Sequence, residues 1–90
     1  MQSAELPQYQ LVKKKYDITD LDLSAAEQQF RQTYPTAEFD CRDGIRIDFP
    51  DKWLLVRKSN TEPIVRIFAE SVDERQAEEL ITKAKEIIKL

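Results

Sequence analysis

Apolar and polar residues change their spacing twice along this chain, and each change marks a different kind of element. Residues 10–18 alternate weakly, with Leu11, Tyr16 and Ile18 apolar around Lys13-Lys14-Lys15. An edge strand with solvated lysines fits, because charged side chains deter edge-to-edge pairing. A phosphate-binding lysine triad is the alternative. From Ser24 the period lengthens, and Ala26, Phe30 and Tyr34 fall on one stripe until Pro35 bars further helix. Ser24 followed by Glu27 has capping-box spacing, so the helix is predicted to start there. A helix this short needs a sheet to pack on.

The middle of the chain returns to a period of two. Residues 37–41 form a short run; Ile45, Ile47 and Phe49 then alternate with Arg46 and Asp48, as in a half-buried strand. Residues 53–57 and 64–71 are further strands, the latter with Ile64 and Phe68 on one face and Val65 and Ile67 on the other. Between the first two lies Arg42-Asp43-Gly44, which holds the only glycine; a backbone with positive φ is expected at that glycine. Pro50-Asp51-Lys52 makes the next turn. The last segment places Ala77, Leu80, Ile81, Ala84, Ile87 and Ile88 on one helical face. Asp73 or Ser71 is its predicted cap, with Glu74 available to complete a box from Ser71. The order β-α-β-β-β-β-α predicts an α+β domain, an antiparallel sheet with both helices on one face. That domain is expected over residues 9–90, after a tail or boundary segment at residues 1–8.

Composition narrows the function classes. Ninety residues, 41% hydrophobic and 34% charged, make one globular domain. A net charge of −3 and 9% aromatics argue against nucleic acid, and no apolar run is long enough to cross a membrane. With no histidine, imidazole catalysis and His-bearing zinc sites are excluded. The single Cys41 reads as a small core residue, and its lack of a disulfide partner points to a reducing cytoplasm. No metal site is expected: Asp20-Leu21-Asp22 has two carboxylates only and leads into a helix, where acidic residues suit the dipole.

The candidate chemistry lies in Arg57-Lys58-Ser59-Asn60-Thr61-Glu62-Pro63, between two apolar runs. A guanidinium can meet two oxygens of a phosphate, while hydroxyls and turn N–H groups meet the rest. The same residues also make ordinary turns. Strand alternation puts Arg57 and Ser59 on one side and Lys58 on the other. Arg57 is the expected bidentate contact, with Ser59 and Thr61 donating hydroxyls and Asn60 turning the chain to present N–H groups. Lys58 adds positive potential. Pro63 stiffens the exit, and Glu62 is placed to orient Arg66. A surface ion pair of Arg66 with Glu62 or Glu70 is the plainer alternative.

Asp43-Gly44-Ile45-Arg46-Ile47-Asp48-Phe49, the 53–63 segment, Arg66 and Ala69-Glu70 together resemble the C-terminal, fourth domain of the α-D-phosphohexomutases. That family includes phosphomannomutase/phosphoglucomutase and phosphoglucosamine mutase enzymes, and its pattern runs from an Asp-Gly strand to a strand ending in Arg, a Ser-(Gly/Asn)-Thr-Glu-Pro loop and a strand carrying Arg. Leu6-Pro7-Gln8-Tyr9 resembles the junction before that domain. The resemblance implies a TATA-binding-protein-like topology and a loop that grips the substrate's phosphate in an enzyme interconverting hexose 6-phosphate and hexose 1-phosphate through a bisphosphate intermediate. It also implies other domains of a parent enzyme as partners, and magnesium in that whole enzyme, with no cofactor in this domain. The family's serine loop, Asp-x-Asp-x-Asp metal loop and sugar-reading Gly-Glu-x-Ser loop are absent, so this chain alone is expected to catalyse nothing. The Lys-Ser-Asn-Thr-Glu-Pro wording leans toward phosphoglucosamine mutases. A free-standing phosphometabolite-binding module is the competing reading.

Overall fold

The computed structural model describes residues 9–18, 21–42 and 44–88. The segment at residues 1–8, Asp20 of the acidic pair and Asp43 of the glycine turn lie outside the described residues. The elements run β1 (Gln10–Asp17), α1 (Leu23–Thr33), β2 (Glu38–Asp40), β3 (Ile45–Asp48), β4 (Lys52–Lys58), β5 (Ile64–Ser71) and α2 (Glu74–Ile88). They build an α+β fold around a five-stranded antiparallel sheet of order β1-β5-β4-β3-β2.

Alternation decides which face of that sheet is dry. Ile45 and Ile47 on β3, Leu54 and Val56 on β4, and Val65, Ile67 and Ala69 on β5 are all buried. In register they share one face, and both helices join them in a single apolar core. From α1 come Ala26 and Phe30; from α2 come Ala77, Leu80, Ile81 and Ala84. Each large side chain so buried contributes about 1.5–3 kcal/mol. The helices hold no place on the opposite face, which presents the intervening polar residues.

The helix caps differ from the predicted ones. Asp22, not Ser24, caps α1: its Oδ1 accepts the N–H groups of Ser24 at 2.9 Å and Ala25 at 3.3 Å. The predicted Ser24–Glu27 box does not form, because Glu27 turns to Arg31, with Nε at 2.8 Å. A carboxylate at a helix N-terminus also gains from the dipole, which a serine hydroxyl does not. Asp22→Ala is therefore expected to lower stability by about 1 kcal/mol in a thermal melt. Ser24→Ala should stay within about 0.5 kcal/mol. At the second helix, Asp73 is the cap, accepting from the N–H of Arg75 at 2.9 Å. Ser71, fully buried, accepts from the Asp73 N–H at 3.3 Å and donates to Gln76 Oε1 at 3.4 Å. Glu74 thus completes no box with it.

The hydrogen bond from Arg31 holds the Glu27 carboxyl below the usual glutamate range, with a smaller pull from Cys41. Burial, with Glu27 adding to it, pushes the Cys41 thiol up. A thiol so placed is a packing group, the reverse of an activated nucleophile.

Candidate functional site

The loop between β4 and β5 is closed by its own hydrogen bonds. Ser59 N–H donates to the Ile64 carbonyl at 3.0 Å, and Ile64 N–H to the Glu62 carbonyl at 2.8 Å. The Ser59 hydroxyl oxygen accepts from Thr61 N–H and Glu62 N–H, both at 3.3 Å, and stands 3.4 Å from Thr61 Oγ1. Outside the loop, Ile18 N–H donates to the Pro63 carbonyl at 2.8 Å, tying the loop exit to the end of β1. The loop is thus ordered before any ligand arrives, which lowers the entropy cost of binding.

That closure changes the donor set expected from sequence. A ring of backbone N–H groups facing an anion is not what the loop offers, since the amides of Ser59, Thr61, Glu62 and Ile64 all bond within the chain. The Asn60 N–H is not among these bonded amides, and it and the side chains are the donors that remain. One hydroxyl of the Ser59–Thr61 pair donates to the other at 3.4 Å, which leaves the second O–H proton able to donate outward. Asn60 is exposed at the loop tip.

Register brings the cations together. Arg57 on β4 pairs with Arg66 on β5, and Arg66 pairs with Lys15 on β1. Arg57, Arg66 and Lys15 therefore form one row across the open face, immediately beside the loop. A depression of about 200 Å³ lies there, lined by Arg57, Lys58, Ser59, Asn60, Arg66 and Phe68.

Lys58 departs from its neighbours. Alternation turns it to the helix face, where its Nζ donates to the Leu21 carbonyl at 3.3 Å, so its ammonium braces the lead-in to α1. Glu62 and Arg66 form no ion pair among the described residues, and neither do Arg66 and Glu70. Glu70 accepts instead from Trp53 Nε1 at 2.9 Å. On the same open face Arg46 lies 4.7 Å from the Trp53 ring centroid and bonds Asp48 at 3.1 Å. Charge at the β3 side is thus balanced locally.

One contribution to the site was not legible in the sequence. Gly44 has φ 95°, as its turn predicted, but its larger constraint is proximity. A Cβ there would stand 2.5 Å from the Val56 carbonyl oxygen and 3.3 Å from Arg57 Cα. The lone glycine lets β3 approach β4 directly behind the residue that presents the guanidinium. A cleft of about 370 Å³ between the helices, lined by Leu21, Ala25, Gln29 and Ile88 among others, gathers no comparable charge. Among the described residues no group of three or more His, Cys, Asp or Glu is placed to hold a metal ion.

Sheet, helices and arginine-flanked Ser-Asn-Thr-Glu-Pro loop define a domain of phosphosugar-mutase type. A family profile described as "Phosphoglucomutase/phosphomannomutase, C-terminal domain" matches residues 9–87. The chain belongs to that family. Among curated relatives, a "Phosphoglucosamine/phosphogalactosamine mutase" of Sulfurisphaera tokodaii is 41% identical over 86 residues, covering 92% of this chain and 19% of the relative. A "Probable phosphoglucosamine mutase" of Methanopyrus kandleri is 33% identical over 90 residues, covering 96% of this chain and 20% of the relative. A "Phosphoglucomutase/phosphomannomutase" of Thermococcus kodakarensis is 38% identical over 81 residues, covering 86% and 17%. The chain spans about a fifth of the length of these relatives. No helix among the described residues is long and apolar enough to cross a membrane.

Proposed function

We propose that this domain holds the phosphate of a hexose phosphate in a phosphohexomutase, with glucosamine phosphate the favoured substrate. The observation that carries the reading is the register-paired Arg57 and Arg66 beside the pre-closed loop with its Ser59 and Thr61 hydroxyls. A guanidinium fork matches two phosphate oxygens, and the hydroxyls and the Asn60 amide supply donors to the third. Relatives named as phosphoglucosamine mutases support the sugar assignment.

In a mutase the phosphate to be held sits first at one end of the sugar and then at the other. A cradle that reads only the tetrahedral dianion, with side-chain donors on flexible stems, serves both orientations. On this reading the groups that transfer the phosphoryl come from outside this domain, which spans about a fifth of its relatives' length. This domain contributes positioning and charge, and closing it over the substrate would exclude water from the transfer.

The test is a titration of the ¹⁵N-labelled chain at low salt with glucosamine 6-phosphate and, separately, with uncharged glucose. Saturable amide shifts centred on residues 57–63 with the phosphate ester alone are the expected result. Equal responses to both sugars, or none at the loop, would reject the reading.

A further inference from the structure

The open face of the sheet changes its chemistry along β5. Arg66, Phe68 and Glu70 alternate with the buried Ile67 and Ala69, so they stand on that face in this order. Phe68 is half-buried and pairs with Leu55 of β4 and Lys13 of β1. It belongs neither to the apolar core nor to the side chains packed against it. Trp53, on the same face, is already engaged: its Nε1 donates to Glu70 Oε1 at 2.9 Å, and Arg46 lies 4.7 Å from its ring centroid. Among the described residues no ring or cation stacks on Phe68. An aromatic ring with no use in the core therefore lines the same depression as Arg57, Ser59, Asn60 and Arg66.

We infer that Phe68 is the platform for the sugar ring, and that it selects a hexose phosphate over a phosphomonoester without a ring. The inference rests on the loop holding the phosphate. Phe68 lies two residues from Arg66, about 7 Å along the strand, a step comparable to the C–O–P linkage between a phosphate and its hexose ring. A pyranose has an apolar C–H face, which gains by leaving water against aromatic carbon, and a rim of hydroxyls. Leu55, half-buried beside Phe68, widens the apolar shelf toward β4. Two residues further along β5, Trp53 takes one bond of the Glu70 carboxylate, which can accept others from such hydroxyls. The same negative charge disfavours a second anion at that end. Cation, aromatic ring and carboxylate thus follow the order of phosphate, C–H face and hydroxyl rim.

The experiment compares glucose 6-phosphate with glycerol 3-phosphate, an equally charged monoester without a ring, by calorimetry and amide shift mapping on the 90-residue chain. The parent, Phe68→Thr and Phe68→Tyr are run side by side; threonine favours strand while removing the ring. Both ligands are expected to move amides of residues 57–63, and only the sugar ester those of residues 67–69. Phe68→Thr should narrow the ratio of the two affinities by about five- to tenfold, the loss expected when roughly 50 Å² of apolar contact is given up. Phe68→Tyr should restore it. In the parent, nuclear Overhauser contacts between the Phe68 ring and sugar C–H protons are expected, a readout that requires no variant to fold. An unchanged ratio in folded Phe68→Thr, or sugar contacts to other side chains and none to Phe68, overturns the platform and leaves the loop reading intact. Failure of both ligands at residues 57–63 overturns the loop reading and the platform with it.

Discussion

Gly44→Ala should destabilise this domain by about 3 kcal/mol, a fall in melting temperature of roughly 15 °C. Two costs add. The residue sits at φ 95°, where a side chain is strained, and the new methyl would meet the Val56 carbonyl oxygen at 2.5 Å. Backbone cannot swing aside as a flexible side chain can, so β3 must lift away from β4 at the position that carries Arg57. Gly44→Asn separates the causes. Asparagine tolerates positive φ better than alanine, yet its Cβ meets the same carbonyl, so it should recover little. Thermal unfolding followed by circular dichroism reads both variants. A Gly44→Ala melt within a few degrees of the parent would mean that the strands have slack there.

The second large effect is on binding. Arg57→Ala is expected to weaken glucosamine 6-phosphate binding by about 10–100-fold, since hydrogen bonds to charged groups are worth roughly 1.5–3 kcal/mol. Its side chain is exposed, and a melt of the variant beside the titration separates lost affinity from lost stability. Arg57→Lys should recover only part of the affinity, because an ammonium is a point charge without the planar fork. Lys58→Ala provides the contrast. Its ammonium is bonded to the Leu21 carbonyl, so the substitution should scarcely change affinity. Calorimetry across the series checks the ranking; a Lys58→Ala loss as large as that of Arg57→Ala would overturn the assignment of roles.

What the sequence disclosed, and what it hid, follows from the range of the forces involved. Periodicity reports burial, and burial here is simple: one sheet face and two helix stripes. The alternation around Ile45 and Ile47 and the stripe from Ala77 to Ile88 therefore placed their elements directly. Caps are decided by competition among nearby polar groups. Both Asp22 and Ser24 were suitable, and the helix took the carboxylate because Arg31 occupied Glu27.

The loop was legible as a concentration of residue types, but its wiring was not. No spacing rule reveals that the Ser59 oxygen accepts the Thr61 and Glu62 amides, or that those amides are consequently withheld from a ligand. Long-range juxtapositions were more hidden still. Lys15 and Arg57 are far apart in the chain and meet in one row only because β5 lies between β1 and β4. Gly44 signalled its positive φ as the only glycine, whereas its approach to Arg57 depends on the register of β3 against β4.

The central claim is that the loop and its flanking arginines hold a phosphate, and a crystal structure of the chain with glucosamine 6-phosphate tests it most directly. The prediction is a phosphate group within hydrogen-bond distance of both the Arg57 guanidinium and the Ser59 hydroxyl, with Arg66 and Asn60 closing on its remaining oxygens and the sugar pointing away from the loop. A well-ordered ligand bound elsewhere on the domain, with Arg57 turned away from it, would contradict the account.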